Sequence, residues 1–87
     1  MPKMVAYHEV KDRDHWIAST KRDEVFGPLG ITDIRTFIDA TNPSRVAISA
    51  DVPDMDAFGA FMQSPEAAAA MESDGVIPET VVVFVEA

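Results

Sequence analysis

The order in which this chain alternates its patterns leaves few folds open to it. A strand-like run over Met4–Val10 leads to a helical stretch from Asp14 to Phe26. Two more strand-like runs then meet across Ala40-Thr41-Asn42-Pro43-Ser44. A broken helix from Asp54 to Ser73 and a last strand from Thr80 to Glu86 complete the order. Only a few α+β architectures accommodate βαββαβ, and they place the helices on one side of an antiparallel sheet.

Local punctuation supports these boundaries. Asp12 or Asp14 can cap the first helix, and Gly27-Pro28 ends it. Asp54 caps the second after Pro53, and Met55, Phe58, Phe61 and Met62 recur at helical spacing, which marks a core face. Ser64-Pro65-Glu66 restarts that helix, with serine as cap and proline at the first helical position. Gly75 suits its C-terminal cap, and Asn42-Pro43 turns the second strand into the third.

Eighty-seven residues make one domain, 1–87. A chain this short buries only about 60–65% of the surface it exposes unfolded, so a lone monomer is modestly stable. The absence of cysteine excludes a disulfide framework, a thiolate zinc site and an iron–sulfur cluster. Met1-Pro2-Lys3 runs directly into a strand, and no apolar run approaches the ~18–20 residues needed to cross a bilayer. The expectation is a soluble, cytoplasmic protein. Fifteen acidic against seven basic side chains give a net charge of −8, which repels phosphate backbones and anionic membranes. Some RNA-binding domains share the βαββαβ order, but they need exposed aromatics flanked by basic residues on the central strands. Val46-Ala47-Ile48-Ser49-Ala50 offers neither, so neither nucleic acid nor membrane is expected as a partner.

The strands speak to assembly. A sheet covered by helices on one side should alternate apolar and polar residues. Here Val81-Val82-Val83-Phe84-Val85 is apolar on both faces, and Val46–Ala50 and Met4–Tyr7 are nearly so. Two helices cover only one face, and a bare apolar sheet is an aggregation hazard. A second copy pressed sheet to sheet resolves this, so the chain is expected to form a homodimer.

This organisation resembles the dimeric α/β-barrel superfamily, in which two ferredoxin-like subunits press their sheets together. The opening His8-Glu9-Val10-Lys11-Asp12-Arg13-Asp14-His15-Trp16 is similar to small bacterial members with H-x-V-x-D-x-x-x-W. Ala40-Thr41-Asn42-Pro43 is similar to their D-D-P-N hairpin, and Ser64-Pro65-Glu66, Met71 and Gly75-Val76 match further on. The resemblance spans nearly the whole chain and implies an α+β, ferredoxin-like βαββαβ subunit with a four-stranded antiparallel sheet in the order 4-1-3-2. The wider superfamily includes cofactor-free monooxygenases of polyketide biosynthesis, cyclases, isomerases and haem-degrading enzymes. Relatives often carry a histidine and an apolar residue in the body of the first helix, where this chain has Asp23 and Thr20. The haem-degrading branch needs a histidine on the second helix, and none occurs between Asp54 and Gly75.

Few residues are equipped for chemistry. His8 shares a strand face with Met4, Ala6 and Val10, so it sits among apolar neighbours. Its pKa near neutrality, readily moved by burial, suits it to abstract a proton from an acidic carbon or phenol. The alternative is a structural imidazole. Trp16 can wall a pocket and stack on an aromatic ligand, or simply pack the core. One step along that helix from Trp16 lie Thr20 and then Asp23 or Glu24, where a filled core wants leucine or phenylalanine. Either the helix lies loosely on the sheet or a polar-lined cavity sits beneath it. Strict alternation puts Asp33, Arg35 and Phe37 on one face of the second strand and Thr32, Ile34, Thr36 and Ile38 on the other. Depending on which way each strand faces, Thr36, Ser49 and Arg35 are candidate cavity residues, although Arg35 also has Asp33, Asp39 or a carboxylate of a second copy as ion partners. Tyr7 points opposite His8, toward the expected dimer interface. His15 reads as exposed, and with only two histidines and no i, i+4 pair a metal site is not expected.

Two functions are compatible with these residues. One is a small-molecule enzyme without metal or tightly bound cofactor, of the monooxygenase, cyclase or isomerase type. It would act on an aromatic or polyketide-like compound, with His8 as acid/base and Trp16, Thr20, Thr36, Ser49 and Arg35 around the substrate. The other is a non-catalytic small-ligand-binding or dimerisation module.

Overall fold

Alternation along β1 (Lys3–Glu9) decides how the two faces of the sheet are furnished. Met4, Ala6 and His8 are buried under the helices, while Val5 and Tyr7 face the other way. The computed structural model describes residues 2–87, so Met1 of the N-terminal lead-in lies outside the described residues. β1 pairs antiparallel with β3 (Arg45–Asp51) and with β4 (Val82–Val85), and β2 (Thr32–Ile38) pairs antiparallel with β3. The resulting order, β2-β3-β1-β4, is the ferredoxin-like α+β sheet expected from the sequence.

Among the described residues, four short helices cover one face: α1 (Arg13–Ala18), α2 (Lys21–Phe26), α3 (Met55–Met62) and α4 (Pro65–Asp74). The N-termini of α1, α3 and α4 are capped as the sequence implied. Asp12, Asp54 and Ser64 accept from the backbone N–H groups of His15, Ala57 and Ala67 at 3.1, 3.0 and 3.2 Å. Pro65 occupies the first turn of α4, and Gly75 closes that helix at φ +73°. Trp16, Phe26 and Phe58 from the helices meet Met4, Val46, Ile48 and Ala50 from the sheet in one core. The opposite face leaves Val5, Tyr7, Phe37, Val82 and Phe84 between 37% and 54% exposed.

Three departures from the sequence reading follow from specific bonds. The stretch Asp14–Phe26 is two helices, because Ser19 is extended (φ −70°, ψ 137°) and its hydroxyl is taken by Asp74 and by the Lys21 N–H. β2 is not strictly alternating. Asp33 adopts φ +53° in a bulge, and the register pairs Thr32 with Asp51 but Arg35 with Ser49, so Thr32 joins the face of Arg35. The last strand starts at Val82 because a 3₁₀ turn takes Pro78–Thr80, where Thr80 Oγ1 accepts the Glu9 N–H at 2.9 Å.

Candidate functional site

His8 projects from β1 toward a partly open cavity of about 70 Å³ between the sheet and the helices. The walls are chiefly apolar, and the ionisable side chains on them are His8, Arg22 and Asp74. A cavity that accepts benzene measures about 150 Å³, so this one as it stands holds less than one aromatic ring. Met62 and Met71 form part of the wall and are only half-buried. Both are unbranched and repack readily around a guest.

The polar end is built from three elements. The His8 ring is 7% exposed and meets the Trp16 indole edge-on, with centroids 5.6 Å apart. Its Nδ1 is buried without a hydrogen-bond partner. Burial lowers the pKa of His8 below its ordinary value; the nearby Arg22 charge acts the same way, against the Glu9 backbone and Asp74. The downward shift favours the neutral imidazole at pH 7, with an unpartnered nitrogen buried beside the cavity.

Arg22 lies against the Trp16 ring. Its guanidinium carbon is 4.3 Å from the Trp16 ring centroid, a cation–π distance. Nη2 donates to the Ser19 carbonyl at 3.4 Å, and Nη1 stands 3.7 Å from Asp74 Oδ2, beyond hydrogen-bond length. Asp74 is 4% exposed, and its Oδ1 accepts from Ser19 Oγ at 2.5 Å. Arg22, half-buried as a residue, thus keeps one buried donor, Nη1, that no protein atom accepts from within hydrogen-bond distance.

Several solved structures with the same architecture are named antibiotic biosynthesis monooxygenases, while others carry no functional name. Over 99% of this chain and 94% of its own, a candidate antibiotic biosynthesis monooxygenase from Bordetella bronchiseptica superposes with a TM-score of 0.73 at 17% identity. A second antibiotic biosynthesis monooxygenase covers 100% of this chain and 97% of its own, with a TM-score of 0.63 at 14% identity. A third such candidate, from Nitrosomonas europaea, gives 0.66 at 13% identity over 100% and 97%. This chain has the antibiotic-biosynthesis-monooxygenase fold. At these identities the likeness concerns the fold alone. No family model matches the chain, and no curated protein matches it in sequence.

Within that monooxygenase-type fold, the sequence-predicted site residues separate into two groups. His8 and Trp16 meet at the cavity. Thr20 is exposed, because the break at Ser19 turns Thr20, Asp23 and Glu24 outward; the cavity is consequently apolar where a polar lining was expected. Thr36 is exposed on edge strand β2, opposite Ile48. Ser49 and Arg35 are paired on the bare sheet face, away from the cavity, and Arg35 Nε donates to Asp33 Oδ1 at 3.2 Å. Tyr7 faces that same side and stacks on Phe84 at 5.9 Å. Arg22, Asp74 and Ser19 were missed. One signal was present: Thr20-Lys21-Arg22-Asp23 has capping-box spacing, and a helix restarting there puts Arg22 on the face of Phe26. Among the described residues no helix is long and apolar enough to cross a membrane, and no cluster of three or more His, Asp or Glu side chains is placed to hold a metal ion.

Proposed function

We propose that this chain is a small-molecule enzyme of the cofactor-free monooxygenase, cyclase or isomerase type, acting on an aromatic or polyketide-like compound with His8 as its base. The observation that carries the reading is the unpartnered, buried Nδ1 of a neutral histidine on the wall of a largely apolar cavity. A phenol or enolisable carbonyl compound entering there gives its proton to Nδ1. The C–H or O–H bond breaks heterolytically, the new N–H bond forms, and the electron pair stays on the substrate as an enolate or phenolate. All three reaction types begin from such an anion, and oxygenation then uses dioxygen as the electron acceptor. Trp16 supplies a flat wall for the ring. The bare apolar sheet face supports a homodimer as the working form.

A non-catalytic ligand-binding or dimerisation module is the second reading, favoured by the small volume of the cavity. A thermal-shift screen of wild type beside His8→Ala, against phenols, quinones and lactones, separates the two. A ligand at ~100 times its dissociation constant adds about 2.7 kcal/mol of stability. Ligands that stabilise wild type and turn over, with turnover lost in His8→Ala, are the expected result. Ligand binding with no turnover by either protein would favour the module.

A further inference from the structure

Arg22 is a mostly buried cation, its side chain 12% exposed, with an incomplete set of hydrogen bonds. Its carboxylate partner is too far for a hydrogen bond, at 3.7 Å, and spends its nearer bond on Ser19 at 2.5 Å. Its own backbone contact, to Ser19 O, is long at 3.4 Å. Nη1 is left buried and unsatisfied, as is Nδ1 of His8, and the two side chains flank the same indole at 4.3 and 5.6 Å. The Asp74 carboxylate balances the charge of Arg22 at 3.7 Å, but a buried N–H of a charged group without a hydrogen bond costs more than a neutral one, so Nη1 is suited to a further acceptor. A guanidinium with a free N–H edge matches an oxyanion in charge and geometry.

We propose that Arg22 makes the polar end of this cavity an oxyanion subsite, whose ligands present a carboxylate, enolate or phenolate oxygen to Nη1. This rests on the reading of the cavity as a small-molecule site, and it deepens that reading by naming the group recognised. Ser19 and Asp74 act as positioning residues that keep the guanidinium over Trp16. The recognition is local, because a chain of net charge −8 repels anions from its surface at large.

Trp16 is the sole tryptophan and touches both unsatisfied groups, so its emission reports on the subsite. The test titrates the full chain with acetate and with acetamide, which share shape but differ in charge, at constant ionic strength and about pH 7.5, where acetate is ionised. Acetate is expected to change Trp16 emission saturably and to bind at least about tenfold tighter than acetamide, the ratio one charge-assisted hydrogen bond provides. The double variant Arg22→Gln/Asp74→Asn, which removes both charges together, should abolish the preference. If that variant lacks a native circular-dichroism spectrum, Arg22→Lys is read instead, with a reduced but surviving preference. Equal binding of the two probes, no response to either, a preference that persists in the double variant or one unchanged in Arg22→Lys overturns the subsite. Equal binding with the phenol screen still positive removes the subsite and leaves the enzyme reading standing. An acetate preference with no turnover in that screen does the reverse.

Discussion

Ser19 Oγ donates a 2.5 Å hydrogen bond to Oδ1 of Asp74, joining positions 55 residues apart. This bond accounts for the break between α1 and α2 and for the placement of Arg22 beneath α4. Ser19→Ala removes the nearest donor of a carboxylate that is 4% exposed, and is expected to cost about 1–3 kcal/mol. Its neighbour Thr20 is exposed and makes no capping bond through its side chain, so Thr20→Ala should change stability by less than about 0.5 kcal/mol. Urea unfolding of the two variants checks the contrast. Equal midpoints would show that the Ser19–Asp74 bond does not hold the break.

The fold was legible because its determinants are local. Asp54, Ser64, Pro65 and Gly75 each mark a helix end within a few residues of the bond they make. The β1 periodicity likewise separates His8 from Tyr7 without reference to the rest of the chain. The site was half legible for the same reason. His8 and Trp16 follow from strand alternation and helix position, but Arg22 becomes inward-facing only after Asp74 captures Ser19 from across the fold. Periodicity within one segment cannot register a partner that distant. The bulge at Asp33 is similar: Lys3 from β1 holds its carboxylate at 3.0 Å, and alternation read along β2 alone misses the shift.

His8 makes stability depend on pH in a definite direction. Its folded pKa lies below the unfolded value of 6.5, chiefly through burial. Above pH 6.5 both states hold a neutral ring and nothing is lost. As the pH falls below 6.5 the unfolded chain takes up the proton first, so stability declines until the folded pKa is reached and then levels. The slope cannot exceed about 1.4 kcal/mol per pH unit. Between about pH 7.5 and 5.5, wild type should therefore lose more stability than His8→Gln, whose side chain does not titrate. Parallel losses in the two proteins would place the His8 pKa at its unfolded value.

Two glycines of the same half of the chain should respond oppositely to alanine. Gly75 sits at φ +73°, and although a Cβ there meets nothing nearer than Lys11 Cβ at 3.6 Å, the backbone conformation is unfavourable for any L side chain. Gly75→Ala should destabilise by about 1–2 kcal/mol. Gly59 lies within α3 with open space around the added methyl. Gly59→Ala should stabilise by up to about 1 kcal/mol through helix propensity. Thermal midpoints of the pair moving in the same direction would contradict the assigned conformations.

The bare sheet face predicts assembly and a way to prevent it. Val5, Tyr7, Phe37, Val82 and Phe84 form an apolar surface on the side of the sheet away from the helices, and Tyr7 and Phe84 stack across β1 and β4 at 5.9 Å. Burying a side chain such as Phe84 contributes about 1.5–3 kcal/mol, and a two-fold dimer counts it twice. Phe84→Glu replaces that gain with a charge that resists desolvation, again twice. Ile17 serves as a control, since it is 46% exposed but belongs to α1 on the other side of the sheet. Light scattering on the size-exclusion peak at micromolar concentration should give about 19 kDa for wild type, twice the 9.5 kDa of one chain. Ile17→Glu should stay at that mass and Phe84→Glu should fall to one chain. A monomeric wild type would mean that this face is not used between copies. Dissociation of both variants would mean that the contact involves the helical side instead.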